Sequence, residues 1–95
     1  MDEINIIEQC KNGDMDAFNT LFKSNSVKAM RTVYLITGRK ELSEEIVQEA
    51  FIQCYKDIRK LKEPATFNSW FFRMLIRISW RYCSKEKIHV SIDDM

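Results

Sequence analysis

Apolar residues recur along this chain at helical spacing in four stretches, each ended by polar or turn-forming residues. Ile4, Ile7 and Cys10 fall at steps of three, and the following "KNGD" stops that helix at Gly13. Asp14 is placed to cap a second helix, in which Phe18, Leu21, Phe22, Met30, Val33 and Tyr34 lead on to Thr37-Gly38. Ser24, Asn25 and Ser26 interrupt its middle with side chains that compete for backbone hydrogen bonds, so a kink or break is expected there. The third helix starts at "LSEE", with Ser43 as the cap and acidic residues in the first turn. Val47, Ala50, Phe51, Cys54 and Ile58 then line one face. Pro64 disfavours helix at Glu63, which makes residues 61–66 a short loop, with Thr66 or Asn68 capping the next helix. In that fourth helix Phe71, Leu75, Ile78 and Tyr82 share a narrow arc, with Met74 at its edge.

This pattern predicts an all-α fold, a compact bundle of three to four helices. They lie at about 14–37, 43–60 and 67–87, preceded by an N-terminal helix or extension over 1–13. Phe18, Leu21, Phe22, Val47, Phe51, Phe71, Leu75 and Ile78 are expected in one core.

Composition narrows the function by exclusion. A length of 95 residues supports one domain with one modest core. No stretch approaches a membrane span, and "MDEINIIEQC" lacks a basic segment followed by an apolar one, so a soluble, cytoplasmic protein without membrane insertion is expected. Cys10, Cys54 and Cys83 form no CxxC pair, and His89 is the only histidine. The cysteines therefore read as small buried hydrophobes, and neither a metal site nor a disulfide framework is expected. There is no glycine-rich phosphate loop and no nucleophile–base pair. No catalytic residue, cofactor or small-molecule substrate is expected, and the chain does not read as an enzyme.

Charge is where the chain becomes informative. The net charge is only +1, yet residues 1–55 hold nine acidic and six basic residues, whereas residues 56–87 hold nine basic and three acidic. Such asymmetry suggests two charged surfaces with different partners, one of them polyanionic. In the fourth helix Arg73, Arg77, Arg81 and Lys85 recur at steps of four, with Trp70 and Trp80 nearby. Arginine forks suit phosphate, and aromatic faces suit unstacked bases. Phe72, Ile76 and Trp80 add a third row, more apolar surface than one buried face requires. On the third helix the face opposite the core carries Glu45, Gln48, Glu49, Ile52 and Lys56. An isoleucine ringed by polar residues is what a protein-docking surface looks like. Two readings remain open from the residues alone: a nucleic-acid-binding domain, and a helical protein-interaction module without nucleic-acid function.

The order of these features resembles region 2 of the bacterial sigma-70 family, most of all its extracytoplasmic-function (ECF) group. The family pattern of an acidic pair, an apolar pair, Gln-Glu, a small residue and Phe is met by Glu44-Glu45, Ile46-Val47, Gln48-Glu49 and Ala50-Phe51. After a short loop, Phe67 and Trp70 match its Phe-x-x-Trp. The resemblance covers about residues 14–87. It implies a transcription initiation factor domain in which Glu45, Gln48, Glu49, Ile52, Gln53 and Lys56 dock on the clamp helices of the RNA polymerase core β′ subunit. It also implies that Lys60, Lys62, Thr66, Asn68, Trp70, Arg73, Arg77, Trp80, Arg81 and Lys85 bind promoter DNA, holding the melted non-template strand of the −10 element. An anti-sigma protein is a further partner that the resemblance admits. Arg77 stands where the family has an asparagine that helps choose a base, so promoter preference does not carry over. Residues 88–95 resemble the start of the linker to a second helical domain.

Overall fold

The computed structural model describes the backbone of residues 3–94 and the side chains of residues 3–84. Four α-helices and two 3-10 turns succeed one another: α1 (Glu3–Lys11), α2 (Met15–Thr37), α3 (Lys40–Asp57), turns at Ile58–Lys60 and Pro64–Thr66, and α4 (Phe67–Asp94). α2 packs on α3 and α4, α3 packs on α4, and α1 lies against α2 and both turns.

The first two boundaries obey the sequence signals. Gly13 takes φ +89, a region that side chains rarely adopt, and Asp14 accepts the Ala17 amide at 3.1 Å as the cap of α2. Gly38, at φ +69, closes α2 by donating its N–H to the Tyr34 carbonyl.

Between these caps α2 runs without a break through Ser24, Asn25 and Ser26. Asn25 is buried and donates from Nδ2 to the Leu21 carbonyl at 2.9 Å, while the Ser24 hydroxyl bonds the same carbonyl at 3.1 Å. The polar side chains add bonds to the helix backbone instead of diverting it.

Ser43 is not a cap. α3 begins at Lys40, three residues earlier, because the α2–α3 connection is only Gly38-Arg39. Ser43 is wholly buried at that corner, donating to the Arg39 carbonyl at 2.6 Å and lying 2.7 Å from the Thr37 hydroxyl. Nor does Thr66 cap α4. Its hydroxyl donates to the Glu63 carbonyl at 2.7 Å, and the turn at Pro64–Thr66 runs straight into the helix at Phe67. Glu63 is extended at φ −118, ψ 106, as its place before proline requires. α4 also runs past Lys87, where the apolar pattern ended it, since residues 88–94 contain neither glycine nor proline.

The core is one cluster. Leu21, Val47, Phe51, Phe71, Leu75 and Ile78 are buried together with Ile7, Val33, Ile46, Cys54, Ile58, Leu61, Phe67 and Met74. Fully burying side chains of this size contributes about 1.5–3 kcal/mol each. Two expected members sit at its edge. Phe18 is only partly buried, and Phe22 is 41% exposed, because the apolar arc of α2 is wider than the strip that α3 and α4 cover. Aromatic rings nonetheless connect the edge to the centre. Phe22 lies 4.3 Å from Phe51, Phe51 4.8 Å from Phe71, and Phe71 stacks on Phe67 at 5.5 Å.

Cys10 and Cys54 are buried as expected, but Cys83 only partly. Burial pushes the Cys54 thiol up to about 12, with the nearby Cys10 adding to the rise, which leaves it protonated and inert. Among the described residues no buried side-chain nitrogen or oxygen lacks a partner, and no helix is long and apolar enough to cross a membrane.

Candidate nucleic-acid interface and partner face

From Phe67 to Ser79 α4 buries one face, and this fixes the direction of the others. With Phe67, Phe71, Met74, Leu75, Ile78 and Ser79 inside, Arg73, Arg77 and Trp80 must point outward. Arg73 and Arg77 are exposed and make no ion pair among the described residues. Trp80 is 59% exposed and, with Ile36, Cys83 and Ser84, borders a shallow hollow. Ile76, 41% exposed, continues the apolar surface one turn earlier. Two free guanidinium groups beside an uncovered indole can take a phosphate backbone and stack a base.

The other residues of the expected DNA set are placed more variously. Lys62, Thr66 and Asn68 are exposed around the Pro64–Thr66 turn at the start of α4. Lys60 is exposed too, but its Nζ lies 3.5 Å from the Asp57 carboxylate. That carboxyl is held below its usual range, first by the bond from Gln53 and then by Lys60. Trp70 is partly buried, packing its ring 6.0 Å from Phe67, so it supports the turn more than it faces solvent. The side chain of Lys85 lies outside the described residues.

Arg81 differs from the other arginines. Its guanidinium turns back across the helix pair to the Glu49 carboxylate on α3, and the Tyr82 hydroxyl donates to the same carboxylate at 2.7 Å. Arg81 also lies over the Tyr82 ring, 5.6 Å from its centre. Donating to Glu49 stabilises the neutral phenol and raises the Tyr82 pKa, with burial as the next cause. The sequence had put Arg81 and Glu49 on two different surfaces. The fold brings them into contact.

On α3, Glu45, Gln48 and Lys56 are exposed, and Ile52 is 52% exposed among them. Gln53 is half-buried and bonds Asp57. Ile52 and Gln48 line a groove of about 740 Å³ between α2 and α3, with Met15, Phe18, Phe22 and Tyr55 along its sides. Phe18 and Tyr55 meet edge to face at 5.1 Å. Sequence reasoning missed the α2 wall of this groove. The signal was present in Met15, Phe18 and Phe22 at spacings of three and four, but Phe18 and Phe22 were assigned to the core and Met15 to no face.

Known proteins share both the pattern and the arrangement of helices. The family model for sigma-70 region 2 matches residues 21–88. The ECF RNA polymerase sigma factor SigW of Bacillus subtilis is 30% identical over 87 residues, covering 92% of this chain and 46% of the relative. The ECF RNA polymerase sigma-E factor of Haemophilus influenzae is 28% identical over 83 residues, covering 85% of this chain and 42% of its own length. The chain thus spans under half the length of these relatives. Among solved structures, an engineered region 2 of sigmaE in complex with GTAAAA superposes with a TM-score of 0.83 at 23% identity, covering 92% of this chain and 90% of the other. With its helices in that arrangement and the family pattern running through most of its length, the chain belongs to the sigma-70 region 2 family.

Proposed function

We propose that this domain is a transcription initiation module of the ECF type, acting in the cytoplasm as a binding protein and not as an enzyme. It docks on the RNA polymerase core through α3 and the α2–α3 groove, and holds the melted non-template strand of the −10 element along α4. The observation that carries the reading is the exposed Arg73–Arg77–Trp80 surface on a helix whose opposite face is packed in the core. The packed core fixes the helix backbone that carries the cations and the uncovered ring, so binding has only their side chains to order. Stacking contributes about 1–3 kcal/mol per base, which offsets the few kcal/mol of unstacking a duplex step. The resemblance to a region 2 bound to GTAAAA supports the choice of a single strand.

The groove supports the protein-binding half of the reading. Gln48 and Ile52 open onto it, and its walls are apolar enough to receive a side chain from a partner helix. Fluorescence anisotropy of labelled single strands, GTAAAA and a panel of its single-base variants, against duplexes carrying the same sequences tests the DNA half. The expected result is binding to single strands that weakens steeply with salt. No binding to any strand of the panel, or no preference over duplex, refutes it.

A further inference from the structure

Arg81 is the one arginine of the α4 stripe whose guanidinium is engaged by another helix, among the described residues. It meets Glu49, which the Tyr82 hydroxyl holds at 2.7 Å, and it lies over the Tyr82 ring. Arg81 is 55% exposed and Glu49 37%, so the pair is accessible to solvent and can exchange partners. We infer that Glu49 is a positioning residue for the DNA-binding stripe: in the free domain its carboxylate holds Arg81 on α3 and withholds one cation from the strand. This rests on the proposed binding of single-stranded DNA along α4, and goes beyond it by giving Glu49 a role inside the molecule.

The physical chemistry sets the size of the effect. A phosphate reaching Arg81 must displace a carboxylate already bound there. An exposed pair of this kind shifts an equilibrium by about five-fold at most. Arg81 reaches Glu49 through one terminal nitrogen, and the carboxylate held there lowers the positive potential that a phosphate meets at the remaining N–H groups. Removing the carboxylate's charge therefore adds a phosphate contact, and the number of such contacts is read by the salt dependence of binding.

The test uses the purified chain and labelled single-stranded GTAAAA at several salt concentrations. Glu49→Gln is compared with Glu41→Gln, which makes the same change in net charge at an exposed position two turns earlier on α3. Glu49→Gln is expected to bind up to about five-fold tighter than Glu41→Gln. Its salt slope should be steeper by up to about 0.7, the value of one single-strand phosphate contact. In an Arg81→Ala background the two variants should become indistinguishable. Tyr82→Phe, which frees Glu49 on one side, should give a smaller shift in the same direction. The inference is overturned if Glu49→Gln and Glu41→Gln give equal affinity and slope while Arg73→Ala and Arg77→Ala still weaken binding. If no strand of a −10 panel binds these proteins, or binding ignores Arg73 and Arg77, the parent reading fails and this one with it. Melting curves of each variant identify any loss that is merely a loss of fold.

Discussion

The two exposed faces of this domain are built on opposite principles. Along α4, Arg73 and Arg77 stand out beside Trp80, and the surface offers charge with an aromatic plate. Between α2 and α3, Met15, Phe22, Ile52 and Tyr55 are each about half exposed around a groove of about 740 Å³, and the surface offers apolar area. The first suits a partner whose attraction comes from counterion release and stacking. The second suits one whose attraction comes from removing apolar area from water. Salt should therefore separate the two, weakening the strand strongly and a partner in the groove little.

The largest expected effect breaks both faces together. Phe51 joins the Phe22 wall of the groove to Phe71 of α4, and its ring is 3% exposed. Phe51→Ala should cost about 3–5 kcal/mol, measured by urea denaturation, a large share of what a domain of this size has. A smaller change isolates the groove. Ile52→Glu replaces an exposed side chain, so stability should move by no more than about 0.5 kcal/mol. Binding to RNA polymerase core should nonetheless fall about ten-fold or more, as for the loss of a central apolar anchor. Binding of GTAAAA should hold, apart from the general effect of one added negative charge. If polymerase binding survives, the groove is not the docking face.

How far the sequence carried this picture depends on the range of the interaction. The buried row Val47, Ala50, Phe51, Cys54 and Ile58 was legible because α3 buries one stripe and leaves the other in water. Ile52 stood out for the same reason. Phe22 did not, since periodicity marks an apolar arc but says nothing about how much of it a neighbour covers. Ser43 obeyed a good local rule, a serine before two glutamates, which the short α2–α3 corner overrode by burying it. Arg81 and Glu49 lie 32 residues apart, and no spacing argument joins them. Helical rules count charges within one helix, so the stripe looked like four equivalent cations when the fold had already engaged one.

Within α4 the stripe should divide by function. Arg73→Ala should weaken all single strands alike and reduce the magnitude of the salt slope by up to about 0.7. Arg77→Ala should also change the order of preference among −10 variants if, as the resemblance implies, Arg77 stands where the family has an asparagine that helps choose a base. Competition binding with a small panel of strands decides between them. An unchanged order makes Arg77 a phosphate contact and nothing more.

The smallest effect tests the seam between the two faces. The Tyr82 phenol is held above its ordinary value of 10.0, chiefly by donating to Glu49. A folded-state pKa that is raised contributes stability fully present below the unfolded value and lost as pH climbs through the folded one. The domain should thus begin to lose this contribution only above about pH 10, and Tyr82→Phe should abolish that part of the alkaline decline in melting temperature. Tyrosinate absorbance gives a direct reading. The difference between the wild-type and Tyr82→Phe titrations isolates Tyr82, whose midpoint should lie above 10 and fall when Glu49→Gln removes the accepting carboxylate's charge. A midpoint indifferent to Glu49→Gln would mean that the phenol is not bonded to that carboxylate in solution. The Arg81 contact to Glu49 would then stand without the phenol beside it, on top of the packing of α3 against α4.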